Sequence, residues 1–374
     1  MLGALHLFPA PHLTRGLLFS TILPGLIFEA AFNLDASELR RTWITITTLA
    51  VPGVVISMGL IAIALSPTAQ ALGLAAGFNW RHALVFGALI AATDPIAVVA
   101  LFRSLGAPRR LTTLLEGESL FNDGTAIVFF TMSLALVAGA ESSAGALLFQ
   151  FVSIVTIGVA IGAAVGVAVS WLMRRPVGAW GEIGLTIMAA YGAFAAAESL
   201  HSSGVIATVV AGILCGNLGI RARATSSTRR TLERFWDYVA FALSCIVFLL
   251  IGFEVHLSRL LHYWLAIVLA YCIVTFSRGA IVAAGQLLLR WSEERFPWRW
   301  SVILTWGGVR GALAMVLALS LPQSFEYRDL IVSMTFGVAV ISILAQGLTM
   351  PLLLRGLGIA QPPAQPPARR SQAG

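Results

Sequence analysis

The chain has 374 residues, of which 58% are hydrophobic and only 11% charged, and its mean hydropathy is +0.88. That balance excludes a soluble globular domain and describes a polytopic all-α membrane protein. The formal charge is +7, but every basic residue is an arginine in or between apolar runs. No nucleic-acid partner is expected, and the lack of lysine excludes Schiff-base chemistry on retinal or pyridoxal phosphate.

The first fourteen residues hold prolines and histidines without a long apolar run, so no signal peptide is read there. Candidate membrane spans follow at roughly 16–33, 43–65, 82–104, 112–138, 147–173, 181–200, 203–219, 235–253, 262–289, 299–321 and 330–354, most of them close to the ~20 apolar residues that cross the hydrocarbon. The third span carries Thr93-Asp94-Pro95, where proline removes a helix hydrogen bond. Four carboxylates (Asp94, Glu116, Glu118 and Asp123) fall in this third span and in the fourth, within otherwise apolar sequence. In the fifth span, Gly158, Gly162 and Gly166 form a stripe that reads as tight helix packing within the subunit, with a homodimer face as the sharper alternative. Residues 221–236 read as an amphipathic linker on the cytoplasmic surface. The tenth span is interrupted by Trp306-Gly307-Gly308-Val309-Arg310-Gly311. Residues 357–374 read as a disordered cytoplasmic tail. Cys215, Cys245 and Cys272 show neither zinc-ligand nor disulfide spacing.

Alternating the loops places Arg40, Arg41, Arg103, Arg109, Arg110, Arg174, Arg175 and the arginines of 221–234, 290–299 and 355–370 on one side. Arg15, Arg81, Arg259 and Arg328 fall on the other. The arginine-rich side is the cytoplasm, which predicts an outside N-terminus and a cytoplasmic C-terminus in a multi-pass protein of the cell's inner (plasma) membrane. The third and tenth spans run in opposite directions and each precedes one further helix. Broken helices in corresponding places of two halves predict inverted repeats with a binding site at the midplane. Pairing them matches spans one to four with eight to eleven, and the simplest account of the unmatched sixth and seventh is that two helices are missing before residue 16. The core bundle is then roughly 43–138 and 262–354, with 16–33 and 147–253 as scaffold and dimerisation helices.

A charge within the bilayer costs a few kcal/mol at least, so the carboxylates of 93–124 point to an ion or proton path. On a helix Ser119 shares a face with Asp123, and Glu118 with Asn122; Asp94 comes from the preceding helix. Carboxylate, hydroxyl and amide together suit a small hard cation, and Asp123 can equally carry a proton. Glu116 reads as a solvated mouth residue, and Glu254 with Arg278 as a structural pair.

Thr93-Asp94-Pro95-Ile96-Ala97-Val98-Val99, Leu115-Glu116-Gly117-Glu118-Ser119-Leu120-Phe121-Asn122-Asp123 and Trp306-Gly307-Gly308-Val309-Arg310-Gly311-Ala312 resemble the monovalent cation:proton antiporter-1 family of NhaP-type and animal sodium/hydrogen exchangers. Leu23 to Asp35 and Phe248 to Glu254 resemble its early and later helices, and the likeness runs in order from about residue 16 to 356. The resemblance implies an NhaA-like fold of thirteen spans with two crossed discontinuous helices. It implies that Asp123 binds cation and proton alternately, beside Asn122 in the Asn-Asp pair of electroneutral exchangers. It also implies a Na+ site at Asp123, Thr93, Ser119 and Glu29 with Asp94 close by, and a structural ion pair of Glu118 with Arg310 that holds the crossed helices together with Asn122.

The expected function is electroneutral exchange of Na+, Li+ or K+ for H+ by alternating access, in pH and sodium homeostasis. No enzyme activity and no cofactor are expected; the partners are Na+, H+ and the bilayer. One rival is an intramembrane aspartyl protease, which would need a Gly-x-Gly-Asp motif that the chain lacks. Another is a transport-inactive truncated homologue or sensor.

Overall fold

The computed structural model describes residues 18–74, 77–139, 143–175, 178–221, 226–254 and 257–359, and every regular element among them is helical. After a π-helical turn at Leu18–Ile22, α1 spans Leu23–Asn33. Helix α2 (Ala36–Ala50) starts where the Asp35 carboxylate accepts from Ser37 N at 2.9 Å, an N-cap that satisfies an otherwise unpaired donor. It runs almost directly into α3 (Pro52–Ala71), with proline at the first helical position, where its missing N–H does no harm. This span begins earlier than 43 because its first turns are polar: Glu38 pairs with Arg41 at 3.5 Å, and hydropathy does not register such a start.

Helices α4 (Trp80–Ala91) and α5 (Ile96–Ser104) form the first broken span, followed by α6 (Arg109–Val137). Then come α7 (Ala144–Leu172), α8 (Gly178–Ser199) and α9 (Gly204–Leu214), the last extended by a π-helical segment, Cys215–Arg221. Helix α10 runs unbroken over Ser226–Glu254. The expected linker at 221–236 is therefore corrected over its described part: residues 226–236 are the first turns of α10. Trp236 is fully buried and donates Nε1 to Thr186 Oγ1 at 3.1 Å, so the aromatic belongs to the core. A short α11 (Leu257–His262) precedes α12 (Trp264–Leu288). The second broken span is α13 (Trp298–Trp306) with α14 (Ala312–Leu319). The last span is α15 (Arg328–Ile341), a π-helical segment at Ser342–Gly347 and α16 (Leu348–Gly356). All eleven predicted spans therefore contain helix. Among the described residues, five stretches are long and apolar enough to cross a bilayer unaided: 36–71, 109–137, 145–172, 264–291 and 328–356. Of the expected tail, only residues up to 359 are described.

Two packing groups surround the site. In one, α9 packs against α1, α7 and α8, and α10 against α1 and α8. In the other, α4 lies between α3 and α6, while α12 packs against α3, α13 and α15, around a core that includes Phe86, Leu89, Phe130, Leu317 and Met334.

The glycine stripe of α7 is what lets α9 come so close. A Cβ on Gly162 would lie 2.3 Å from Ala207 O, and one on Gly166 3.0 Å from Ala211 Cα. This is packing within the subunit. Gly162→Ala is expected to lower stability by about 1–3 kcal/mol through overpacking, with no change in oligomeric state. Thermal melting alongside size-exclusion chromatography checks both halves of that expectation.

Candidate functional site

The two breaks meet. Pro95 cannot donate a backbone hydrogen bond and α4 stops at Ala91, leaving Ala92 extended at φ −58°, ψ 133°. Asp94 N then donates to Val309 O at 2.8 Å, joining the first break to the second. The approach requires glycine at 311, since a Cβ there would sit 1.9 Å from Asp94 Cβ.

Broken helices leave polarised ends within the membrane, and charged side chains answer them. Asp94 Oδ1 accepts from Ile96 N at 3.1 Å at the positive start of α5, and its carboxylate lies against Gly311 at the start of α14. Arg310 Nη1 donates to Ala91 O at 3.2 Å, the negative end of α4. Arg278 Nε and Nη2 donate to Leu304 O, near the end of α13, at 2.9 and 2.8 Å.

Beside this crossing lies a cavity of about 360 Å³. Its walls come from α1, α5, α6, α10 and the start of α14. Thr93 Oγ1 donates to Ser119 Oγ at 3.1 Å, and Ser119 Oγ in turn donates to Thr93 O. Asp123 Oδ1 is buried without a hydrogen-bond partner, and an unmet carboxylate oxygen of this kind calls for a proton or a cation. Asp94 and Glu29 line the same cavity. Glu29 Oε1 accepts from Asn33 Nδ2 at 2.6 Å, and the same nitrogen reaches Asp237 Oδ1 at 3.4 Å. Thr93, Asp94, Ser119 and Asp123 thus gather from two elements, while Glu29 faces the shared space from α1.

Two sequence expectations are corrected here. Asn122 does not face this cavity. One residue along a helix is a turn of about 100°, so while Asp123 points inward, Asn122 Nδ2 donates to Glu118 Oε1 at 3.1 Å on the other side of α6. It lines a separate space of about 30 Å³ with Glu118, Arg278 and Arg310. The expected ion pair of Glu118 with Arg310 is also replaced. Glu118 is held by Arg278 in a bidentate pair, Nη1–Oε1 2.8 Å and Nη2–Oε2 3.0 Å, with both side chains buried. Arg310 instead serves the end of α4. The expected pairing of Arg278 with Glu254 lies outside the description, because the Glu254 side chain is not among the described ones.

Sequence reasoning missed three residues of this region: Arg278 as the partner of Glu118, and Arg103 and Asp237 at the cavity's edge. Arg278 had a signal, being an arginine in an apolar run that must find a counter-charge. Arg103 and Asp237 had none, since each sits at a span end where charge is ordinary.

The family model described as sodium/hydrogen exchanger, transmembrane, matches residues 3–356. The low-affinity Na+/H+ antiporter NhaS1 of Synechocystis is 38% identical over 354 residues, covering 93% of this chain and 66% of that protein. The Na+/H+ antiporter NhaP of Pseudomonas aeruginosa is 39% identical over 352 residues, covering 92% and 82%. The chain thus spans about two thirds of the first relative's length. The sodium proton antiporter MjNhaP1 of Methanocaldococcus jannaschii has the same fold, with a TM-score of 0.73 at 20% identity over 91% of this chain and 85% of that one. With the crossed broken helices, the carboxylates between them and a family match over nearly its whole length, the chain belongs to the sodium/hydrogen exchangers, a family of multi-pass secondary transporters rather than enzymes.

Proposed function

We propose that the chain exchanges Na+ for H+ electroneutrally across the cell's inner membrane, with cation and proton competing for Asp123. The observation that carries this reading is the buried, unpartnered Asp123 Oδ1 in a cavity also lined by Thr93, Asp94 and Ser119. One carboxylate holds either a proton or a cation, so loading one ligand expels the other. Carboxylate and hydroxyl oxygens are the donors a small hard cation takes. The arginine-rich side is the cytoplasm, where the C-terminus lies; the N-terminus is outside. The group holding the crossing moves against α1 and α7–α10 to change sides. A homodimer would use the outward face of α7, whose most apolar window is only 17% buried.

Charge bookkeeping sets the stoichiometry. Glu118 is paired with Arg278 and Asp94 caps the start of α5, and in this reading each keeps one protonation state through the cycle. Only Asp123 cycles, so the site has the same net charge with either ligand. The membrane potential, worth about 2.3 kcal/mol per charge per 100 mV, then has no net charge to act on. In vesicles clamped with potassium and valinomycin, the Na+/H+ reversal point is expected to stay fixed as the voltage is varied. A reversal point that moves with voltage would mean a second acid titrates, with Asp94 the first suspect.

A further inference from the structure

Behind the crossing, on the face of α6 turned away from the cation cavity, Ser57, Glu118, Asn122, Arg278 and Arg310 line the space of about 30 Å³. Glu118 is 3% exposed, Asn122 2% and Arg310 5%, so bulk solvent does not serve their polar atoms. Asn122 Nδ2 donates to Glu118 Oε1, which fixes the amide's orientation, because a flip would set its oxygen against a carboxylate. Asn122 Oδ1 is then a buried acceptor with no partner among the described residues. The donor beside it is found by counting. A guanidinium has five N–H groups, and Arg278 makes four hydrogen bonds, two to Glu118 and two to Leu304 O. Arg310 donates through Nη1 to Ala91 O, so most of its donors face other surroundings. Its other flank repeats the pattern. Gln346 Oε1, on a residue 3% exposed, also lacks a partner among the described residues, and Arg310 and Gln346 line a space of about 10 Å³ there.

An unmet buried acceptor beside unused donors calls for a molecule that both donates and accepts. We propose that the larger space binds one ordered water molecule, which donates to Asn122 Oδ1 and accepts from the Arg310 guanidinium. Glu118 and Ser57 line the same space and supply an acceptor for its second hydrogen. Three bonds are the usual complement of a buried water, and about 10–15 Å³ is room enough for one. Ions fit the site less well. Two guanidiniums and one carboxylate leave a net positive charge that repels a cation, while an anion would meet both the unmet amide oxygen and the Glu118 carboxylate. The water joins α6 to the second break through Arg310, and Arg310 joins that break to the end of α4 at Ala91 O. Asn122 is thereby a positioning residue that acts on Arg310 through the water. The water site is independent of the exchange reading, since the cation cavity lies on the other side of α6.

The test is a cryo-EM structure of the full chain in lipid nanodiscs, at a resolution that shows ordered water, paired with X-ray radiolytic footprinting. A peak is expected within about 2.6–3.2 Å of both Asn122 Oδ1 and an Arg310 nitrogen. In footprinting, bound water is split into hydroxyl radicals that oxidise the side chains beside it. Leu49 lines the space and is 4% exposed; Leu330, in the apolar core around α4, is also 4% exposed. Leu49 should therefore label several-fold faster than Leu330, and Asn122→Leu should bring the two rates together. Should that variant fail to fold, the map and the ratio of the two rates in the parent still decide. A map that shows other buried waters but no peak here overturns the proposal, as does a Leu49 rate no greater than that of Leu330. A peak that touches Arg310 but lies beyond hydrogen-bond reach of Asn122 Oδ1 overturns it as well. None of these outcomes touches the exchange reading, which stands or falls with Asp123.

Discussion

Replacing Asp123 with asparagine is expected to reduce Na+/H+ exchange to the background of empty vesicles while leaving the protein folded. The carboxamide has nearly the shape of the carboxylate but neither ionises to hold a cation nor takes up a proton for the return step. Little structural harm follows, because Asp123 Oδ1 has no hydrogen bond to lose. A buried charge without a counter-charge is itself a burden, so the melting temperature of Asp123→Asn should equal or exceed that of the parent. Dequenching of a pH-sensitive dye on Na+ addition reads the activity, and thermal melting in detergent the fold. Exchange that persists in the variant would remove Asp123 from the centre of the proposed mechanism.

Arg278→Ala is expected to cause the largest loss of stability among the charged positions. It leaves Glu118 alone in a buried environment and strips Leu304 O of two donors. Removing one partner of a buried ion pair costs about 3–5 kcal/mol, because the remaining charge is uncompensated. A second change, Glu118→Gln, removes that stranded charge and should restore part of the loss. Arg310→Ala should cost less, since among the described residues its guanidinium donates to the Ala91 carbonyl rather than to a carboxylate. Thermal melts of the parent, the two arginine variants and each of these combined with Glu118→Gln separate the alternatives. If Arg310→Ala proved the more damaging, and the one rescued by Glu118→Gln, the pairing first expected from the sequence would be right.

The sequence already showed where the helices break, because a proline at 95 and glycines at 307, 308 and 311 act on the backbone wherever the surrounding chain goes. It also showed the face shared by Ser119 and Asp123, which follows from helix periodicity within one element. The partner of Glu118 was not legible. Arg278 and Arg310 both lie in apolar runs, and choosing between them depends on how α12 and the second break sit against α6, a register that local pattern does not encode. Asn122 was misplaced for a related reason: its neighbour Asp123 suggested a common role, although adjacent helical residues face different surroundings. The mouth residues Arg103 and Asp237 were hidden because only the tertiary fold shows that they edge a cavity.

At the crossing, Asp94 fills the space that a side chain on residue 311 would occupy, and its backbone nitrogen is bonded to Val309 O. Two chain segments that interlock in this way act as a keyed joint. Sliding one past the other would break the bond and drive the Asp94 side chain into its neighbour. In the proposed exchange, any travel must therefore take place at looser seams, and the oxygen atoms of Thr93, Asp94, Ser119 and Asp123 travel together. The same oxygen atoms then greet the ion on both faces of the membrane, so its intrinsic affinity is a property of the cage and is identical from either side. Any asymmetry between uptake and release has to originate in the two vestibules.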